Sequence, residues 1–280
     1  MDLKSEEEVL SETGASPFVS VFVRSLGVMM IVLAIAWALD LYRSIGFLPY
    51  SEQFLGTMLG ISMVMVFLWI PFGRGQRQGP VPWYDWLASG VGGLACAYLV
   101  IRYPTLSDTY STQPIDAVVV GAILIVLTAE GLRRTVGQVL FYVFLFFIAF
   151  GLFGQFVPRP LTGHAIGIGE LSTYLTFDTN SLLGTPLRIV TSIVAAFLLM
   201  GSLLMHSGGT AFFTDISMAV MGRYRGGSAK IAVTASGLFG SISGSVVSNV
   251  VSTGVITIPL MRRGGYSAQS AGAIEAVAST

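Results

Sequence analysis

Oxygen-bearing side chains are concentrated in one apolar stretch of the chain, residues 230–263. Hydroxyl and amide groups, together with backbone carbonyls freed by a broken helix, are neutral oxygen ligands. Such ligands suit a small dehydrated monovalent cation better than calcium, which favours carboxylates. The positive dipole end of a helix N-terminus at the same break would attract a carboxylate. The candidate oxygen donors are Ser241, Ser243, Gly244, Ser245, Ser248, Asn249, Ser252 and Thr253.

Helix packing is the simpler explanation for each serine taken alone, because small polar residues let helices approach closely. The cluster lies at 240–245, however, where a uniform spanning helix should be richest in leucine and isoleucine. Irregular backbone at membrane depth survives only where it is packed in protein or lines a wet cavity. The cluster therefore favours a binding site at an interruption between two helices.

Charge and length predict that this stretch is a helical hairpin, which enters and leaves the membrane on one side. Arg225 and Lys230 precede it and Arg262 and Arg263 follow it, so both ends favour the cytoplasmic face. Residues 231–260 number 30. One crossing needs only about 20 residues and half-depth helices about 10 to 14 each. One long tilted helix with a Gly/Ser packing face is the alternative.

The composition is that of an integral membrane protein: 53% of the residues are hydrophobic, 11% are charged and the mean hydropathy is +0.76. The net charge is zero and no basic run stands out, which argues against nucleic acid as a partner. The sequence has no recognisable nucleophile and base, HExxH motif, phosphate-binding glycine loop or cysteine cluster, so it does not predict an enzyme. The single cysteine, Cys96, is expected to pack in an apolar segment.

Six apolar segments precede the hairpin and are predicted to cross the membrane as helices. Their bounds are 19–39, 54–72, 83–101, 115–129, 136–157 and 187–205. The fourth, with 15 residues, is the shortest. Residues 1–18 are expected to form an acidic cytoplasmic tail, because the start of a signal peptide is positively charged. The predicted fold class is an all-α integral membrane protein.

Polar connectors, among them 102–114 and 130–135, separate these segments, and a long loop at 158–186 is expected on the outer face. His164 and Glu170 in this loop match no metal-ligand spacing, so no metal site is predicted beyond the monovalent cation site. With the N-terminus in the cytoplasm, eleven Lys and Arg residues fall inside and four outside. That bias supports this topology and the hairpin's return.

Residues 206–230 link the sixth segment to the hairpin. Phe212, Ile216 and Val220 can share one face of a helix there, which predicts an amphipathic helix at the interface or beside a gate. A simple packing helix is equally compatible with the pattern. Gly226 and Gly227 are expected to end this helix and turn the chain into the hairpin.

Two fragments carry a resemblance to a known family: GRYRGGSAK at 222–230 and the segment 239–280, which begins FGSISGSVVSNVVSTGVITIPLMRR. They resemble the first re-entrant hairpin region of the large membrane subunit of tripartite ATP-independent periplasmic (TRAP) transporters. The similarity is greatest to fused permeases, in which the small and large subunits form one chain. It is dense over 205–280 and moderate over 129–204, and before that it rests on the number of segments.

The resemblance implies that 19–134 corresponds to the four-helix small subunit. It implies that 135–280 is the start of the large subunit, with a re-entrant hairpin at about 230–261 and an elevator-type fold. Such permeases lie in the bacterial inner membrane and take up organic acids, often carboxylates, with sodium. They receive the substrate from a soluble periplasmic binding protein.

Positions in the family motif imply roles for residues of the hairpin. The residues expected near sodium and substrate at the tip are Ser241, Ser243, Gly244, Ser245, Asn249 and Thr253. Those expected to shape the hairpin are Gly240, Gly254 and Pro259. The family fold continues through more helices and a second hairpin, so the sequence is expected to be an N-terminal fragment of the carrier.

Two alternatives stay open. One is another hairpin-bearing carrier of dicarboxylates or other anions, which needs no binding protein. The other is a structural membrane subunit, whose Gly/Ser face only packs helices.

Overall fold

In the computed structural model, the described residues are 17–44, 46, 48–73, 79–164, 166–178, 180–243 and 246–280. Every regular element in these ranges is helical. The helices long and apolar enough to cross a membrane are Pro17–Ala38, Ser51–Trp69, Trp83–Thr109, Ile115–Thr135, Gln138–Phe156 and Thr185–Leu204. The all-α membrane fold class is therefore confirmed. The predicted tail lies outside the described residues, except for its last two positions.

The described chain forms two compact units, of which the first ends at Thr191 and the second is Ser192–Thr280. The helices of the first unit are α1 (Pro17–Ala38), α2 (Leu41–Ser44), α3 (Ser51–Trp69), α4 (Trp83–Thr109), α5 (Ile115–Thr135), α6 (Gln138–Phe153), α7 (Ile168–Phe177) and α8 (Thr185–Ile189). The predicted boundary between residues 134 and 135 separates the part that resembles the small subunit from the part that resembles the large one. It stays a prediction.

Helices α3, α4 and α5 build the core of the first unit, in which Leu55, Phe67 and Leu99 are buried. Gly60 allows α3 and α4 to approach closely, because a Cβ at that position would lie 2.9 Å from the Cβ of Cys96. Cys96 is 2% exposed. Its predicted role in packing is confirmed.

The fourth spanning helix is longer than predicted. Helix α5 has 21 residues and ends at Thr135, so the predicted connector 130–135 is its final turn. The charged end remains helical because the Arg134 side chain, 3% exposed, finds buried partners. It donates hydrogen bonds to Asp85 at 2.7 Å and to the carbonyl oxygen of Ile70 at 3.1 Å.

Two further connectors are more helical than predicted. Helix α4 runs for 27 residues to Thr109, through much of the predicted connector 102–114. The predicted loop 158–186 contains α7, which packs against α5 at Gly121. A Cβ on Gly121 would lie 2.8 Å from the carbonyl oxygen of Ser172. This close approach gives α7 a docking surface that its glycine-rich flanks do not reveal.

The second unit contains the predicted hairpin. Its helices are α9 (Ala195–His206), α10 (Gly209–Met221), α11 (Gly227–Ser243), α12 (Val246–Arg263) and α13 (Ala268–Ala278). Gly226, with a φ angle of 74°, turns the chain into α11 as predicted, in a conformation that other residues rarely adopt. The predicted end of the preceding helix at Gly226 and Gly227 is wrong, because α10 already ends at Met221, where Gly222 follows. Helix α10 forms where either an amphipathic helix or a simple packing helix was predicted. Its position at the membrane interface stays a prediction.

Candidate functional site

Helices α11 and α12 form an antiparallel hairpin, in which the end of α12 lies beside the start of α11. A Cβ on Gly264, just after α12, would lie 2.5 Å from the hydroxyl oxygen of Ser228, near the start of α11. Closer to the tip, the Nδ2 group of Asn249 on α12 donates to the carbonyl oxygen of Ser236 on α11 at 3.0 Å. The chain therefore reverses between the two helices. The helical hairpin is confirmed, and the single long helix is excluded. Entry and return on one side of the membrane stay a prediction.

The tip of the hairpin lies partly outside the described residues. Gly244 and Ser245 are outside them, and so is the side chain of Ser243. Ser241 is exposed at the end of α11, and its hydroxyl donates to the carbonyl oxygen of Leu238 at 2.8 Å. That bond uses the hydroxyl proton within one helical turn and leaves the oxygen able to accept another contact.

Asn249 lies between the two arms of the hairpin and is 2% exposed. A Cβ on Gly240 would come within 2.8 Å of its Nδ2 atom, so the glycine makes room for the bond between the arms. The Oδ1 atom of Asn249 is buried, and it has no hydrogen-bond partner among the described residues. An unpaired buried acceptor is costly unless a donor or a cation satisfies it.

A carboxylate that the sequence analysis did not identify joins the returning arm to α13. Glu275 on α13 is fully buried. The hydroxyl of Thr253 donates to its Oε1 atom, and the hydroxyl of Thr257 donates to its Oε2 atom at 2.5 Å. Gly254 lies beside them, where a Cβ would be 3.4 Å from the Cγ of Glu275. Two threonines one helical turn apart thus hold both oxygens of one carboxylate.

A second polar contact ties α13 to the entering arm of the hairpin. The hydroxyl oxygens of Ser236 and Ser279 lie 2.7 Å apart. The Ser279 hydroxyl also lies within 3.4 Å of Oε1 of Glu275. A buried polar network therefore connects α11, α12 and α13. The available signal in the sequence was a lone acid in the apolar run AGAIEAVAS, since such acids face the protein interior.

The structure thus brings Gly240 and Asn249 together between the arms of the hairpin, and it places Thr253 and Gly254 against α13. Pro259 lies inside α12. Proline lacks the N–H that completes the helical hydrogen-bond pattern, so it weakens the arm locally. The binding and shaping roles assigned to these residues stay predictions.

Comparison with known protein families matches residues 121–280 to the tripartite ATP-independent periplasmic transporter, DctM component. The matched range is more than half of the chain and contains the complete hairpin and α13. The chain belongs to this family. The resemblance read from the sequence is confirmed, and the DctM family is one of transporters rather than enzymes.

Curated relatives of this DctM-family chain match it over part of their length. The C4-dicarboxylate TRAP transporter large permease protein DctM of Rhodobacter capsulatus is 32% identical over 129 residues, which are 42% of this chain and 29% of the relative. The protein of the same name from Pseudomonas aeruginosa is 32% identical over 109 residues, which are 36% of this chain and 26% of the relative. The chain spans under a third of the length of these relatives. No solved structure matches it.

Proposed function

We propose that this chain forms part of a permease that takes up organic acids, chiefly carboxylates, together with sodium. The permease receives its substrate from a soluble periplasmic binding protein. It lies in the bacterial inner membrane, with the N-terminus of the chain in the cytoplasm. Family membership and the spanning helices support a multi-pass membrane transporter. The coupling ion, the substrate class, the partner and the orientation are what the proposal adds.

The unpaired oxygen of Asn249 is the observation that supports cation binding. Its amide is held in one orientation, because Nδ2 donates to Ser236, and this leaves Oδ1 buried without a partner among the described residues. Asn249 lies in the first turn of α12, which begins at Val246. A neutral amide oxygen beside hydroxyls and freed carbonyls suits sodium better than a divalent cation. In the proposal, Ser243, Gly244 and Ser245 supply the remaining oxygens.

The substrate class is supported by the direction of α12. This helix begins at Val246, immediately after the break, so its first N–H groups have no helical acceptors. Such a helix start favours a carboxylate through both hydrogen bonds and dipole. The two curated relatives named as C4-dicarboxylate permeases are consistent with that class. The Lys and Arg bias toward one side supports the proposed orientation.

Family membership also bears on the alternatives. A purely structural subunit has no reason to share the DctM sequence over the hairpin. A carrier that needs no binding protein would share the hairpin, so the two transport mechanisms must be separated by experiment.

Uptake by the intact permease in proteoliposomes tests the proposal. Labelled C4-dicarboxylates are supplied with an inward sodium or potassium gradient, and with or without a periplasmic binding protein. We expect uptake only when sodium and the binding protein are both present. Equal uptake with either cation would refute sodium coupling. Full uptake of free substrate without the binding protein would favour the alternative carrier.

A further inference from the structure

We propose that Glu275 is a positioning residue, which holds the returning arm of the hairpin against α13 and thereby fixes the position of Asn249. Its effect on transport rests on the function proposed above. Its effect on the hairpin does not, because that follows from the contacts alone. Glu275 lies on a different helix from the predicted tip residues, and the contact between them is made through threonine hydroxyls.

The geometry of the carboxylate supports this role. Thr253 and Thr257 bind different oxygens of Glu275, so the carboxylate is restrained against rotation as well as translation. All three side chains are fully buried. Hydrogen bonds are electrostatically stronger in the low-dielectric interior of a protein than in water. The pair of bonds therefore sets the position of α12 along α13.

The tie extends to both arms of the hairpin. Ser279, the residue that follows α13, lies one turn after Glu275 and contacts the hydroxyl of Ser236 on α11. Ser236 in turn accepts the amide hydrogen bond of Asn249 through its carbonyl oxygen. Asn249 is thus linked to α13 by two routes. One runs through Ser236 on α11, and the other runs along α12 to Thr253. Movement of α12 relative to α13 would displace the Asn249 oxygen.

When the Glu275 carboxylate is removed, the hydroxyls of Thr253 and Thr257 still have other hydrogen-bond acceptors. The hydroxyl of Thr253 lies 2.7 Å from the carbonyl oxygen of Asn249, and that of Thr257 lies 2.9 Å from the carbonyl oxygen of Thr253. Each hydroxyl can return to its own helix when Glu275 is replaced. Replacement with leucine therefore removes the connection between helices without leaving a buried donor unpaired. The variant is expected to fold and to lose positional restraint.

Hydrogen–deuterium exchange on the intact permease tests the connection directly. In Glu275→Leu, we expect the amides of α12 to exchange about ten-fold faster, while those of α3 and α4 in the first unit keep their rates. Glu275→Gln retains the shape and one acceptor oxygen, so its rates should lie between those of wild type and leucine. Thr214→Val is the matched control, because it removes a buried hydroxyl of the second unit that bonds only within α10, at 2.8 Å to Thr210.

Each outcome is decisive. Faster exchange confined to α12 and its neighbours supports the proposal, whereas unchanged rates, or a uniform increase in both units, would overturn it. If Glu275→Leu does not accumulate in the membrane, Thr257→Val provides the test, since it removes one of the two bonds.

Transport measurements then separate positioning from general destabilisation. We expect Glu275→Leu to raise the sodium concentration for half-maximal uptake at least about five-fold, with partial recovery in Glu275→Gln. Altered exchange with unchanged sodium dependence would overturn the positioning role. If uptake by the wild-type permease does not depend on sodium, the proposed function is wrong. The hydrogen–deuterium exchange result then still tests whether Glu275 restrains α12.

Discussion

Asn249 and Ser236 join the two arms of the hairpin through a hydrogen bond of 3.0 Å from a side-chain amide to a backbone carbonyl. Because the acceptor is backbone, the bond depends on the path of α11 rather than on the identity of its side chain. It holds the Asn249 amide in one orientation and leaves its oxygen buried. A single side chain therefore both braces the hairpin and presents an oxygen near its break.

Replacement of Asn249 by alanine should weaken the contact between the arms of the hairpin and remove the buried amide oxygen. The variant loses a buried hydrogen bond, for which we expect a loss of about 1 to 2 kcal/mol in stability. It also loses the unpaired oxygen, so sodium should bind more weakly. The measurement is the sodium concentration for half-maximal uptake, which we expect to rise about ten-fold. Thr234→Val, at a partly exposed position on the same hairpin, is the control, and equal behaviour of the two variants would exclude a special role for Asn249.

Two glycines of α11 provide a matched pair. A Cβ on Gly240 would lie 2.8 Å from Nδ2 of Asn249, whereas a Cβ on Gly237 would meet nothing within 4 Å. Gly237→Ala should be neutral or stabilising by up to about 1 kcal/mol, because alanine favours helix. Gly240→Ala should lower the thermal unfolding temperature and reduce uptake, since the amide of Asn249 must move. The opposite order of stabilities in detergent would contradict the close contact.

The buried ion pair of the first unit predicts a strong effect on stability. Arg134 and Asp85 are 3% and 0% exposed and lie 2.7 Å apart. Asp85→Asn should destabilise the unit by about 3 kcal/mol, because it leaves a buried guanidinium with less compensation. The control is Arg102→Ala, which breaks an exposed pair with Asp116 at 3.9 Å and should cost under about 1 kcal/mol. Thermal unfolding of both variants is the measurement. Equal losses of stability would contradict the larger contribution expected from the buried pair.

The hairpin could be predicted because its signals are local. Small residues in the middle, positive charge at both ends and a length of 30 residues all occur within one stretch. The positive φ angle at Gly226 is likewise a local requirement. Local chemistry was therefore enough to place the hairpin and to propose residues at its tip.

The features that were missed depend on distant partners. Residues 130–135 resemble a polar connector until Arg134 meets Asp85, 49 positions earlier in the chain. Glu275 resembles an isolated acid until α12 supplies Thr253 and Thr257. Helix α7 depends in the same way on the space that Gly121 provides. Such contacts arise from packing, and the neighbouring sequence does not identify the partners; for Glu275 it offered only a lone acid in an apolar run.

The most direct measurement is sodium-dependent protection of the hairpin tip in the intact permease. Single cysteines at Ser243 and at Ser245, in a background lacking Cys96, are labelled with a maleimide in sodium or in potassium. Thr234→Cys, at a partly exposed position on α11, serves as the control. A cation site at the tip predicts that sodium slows labelling at 243 and 245 but not at 234. Equal labelling rates in the two salts at 243 and 245 would contradict it.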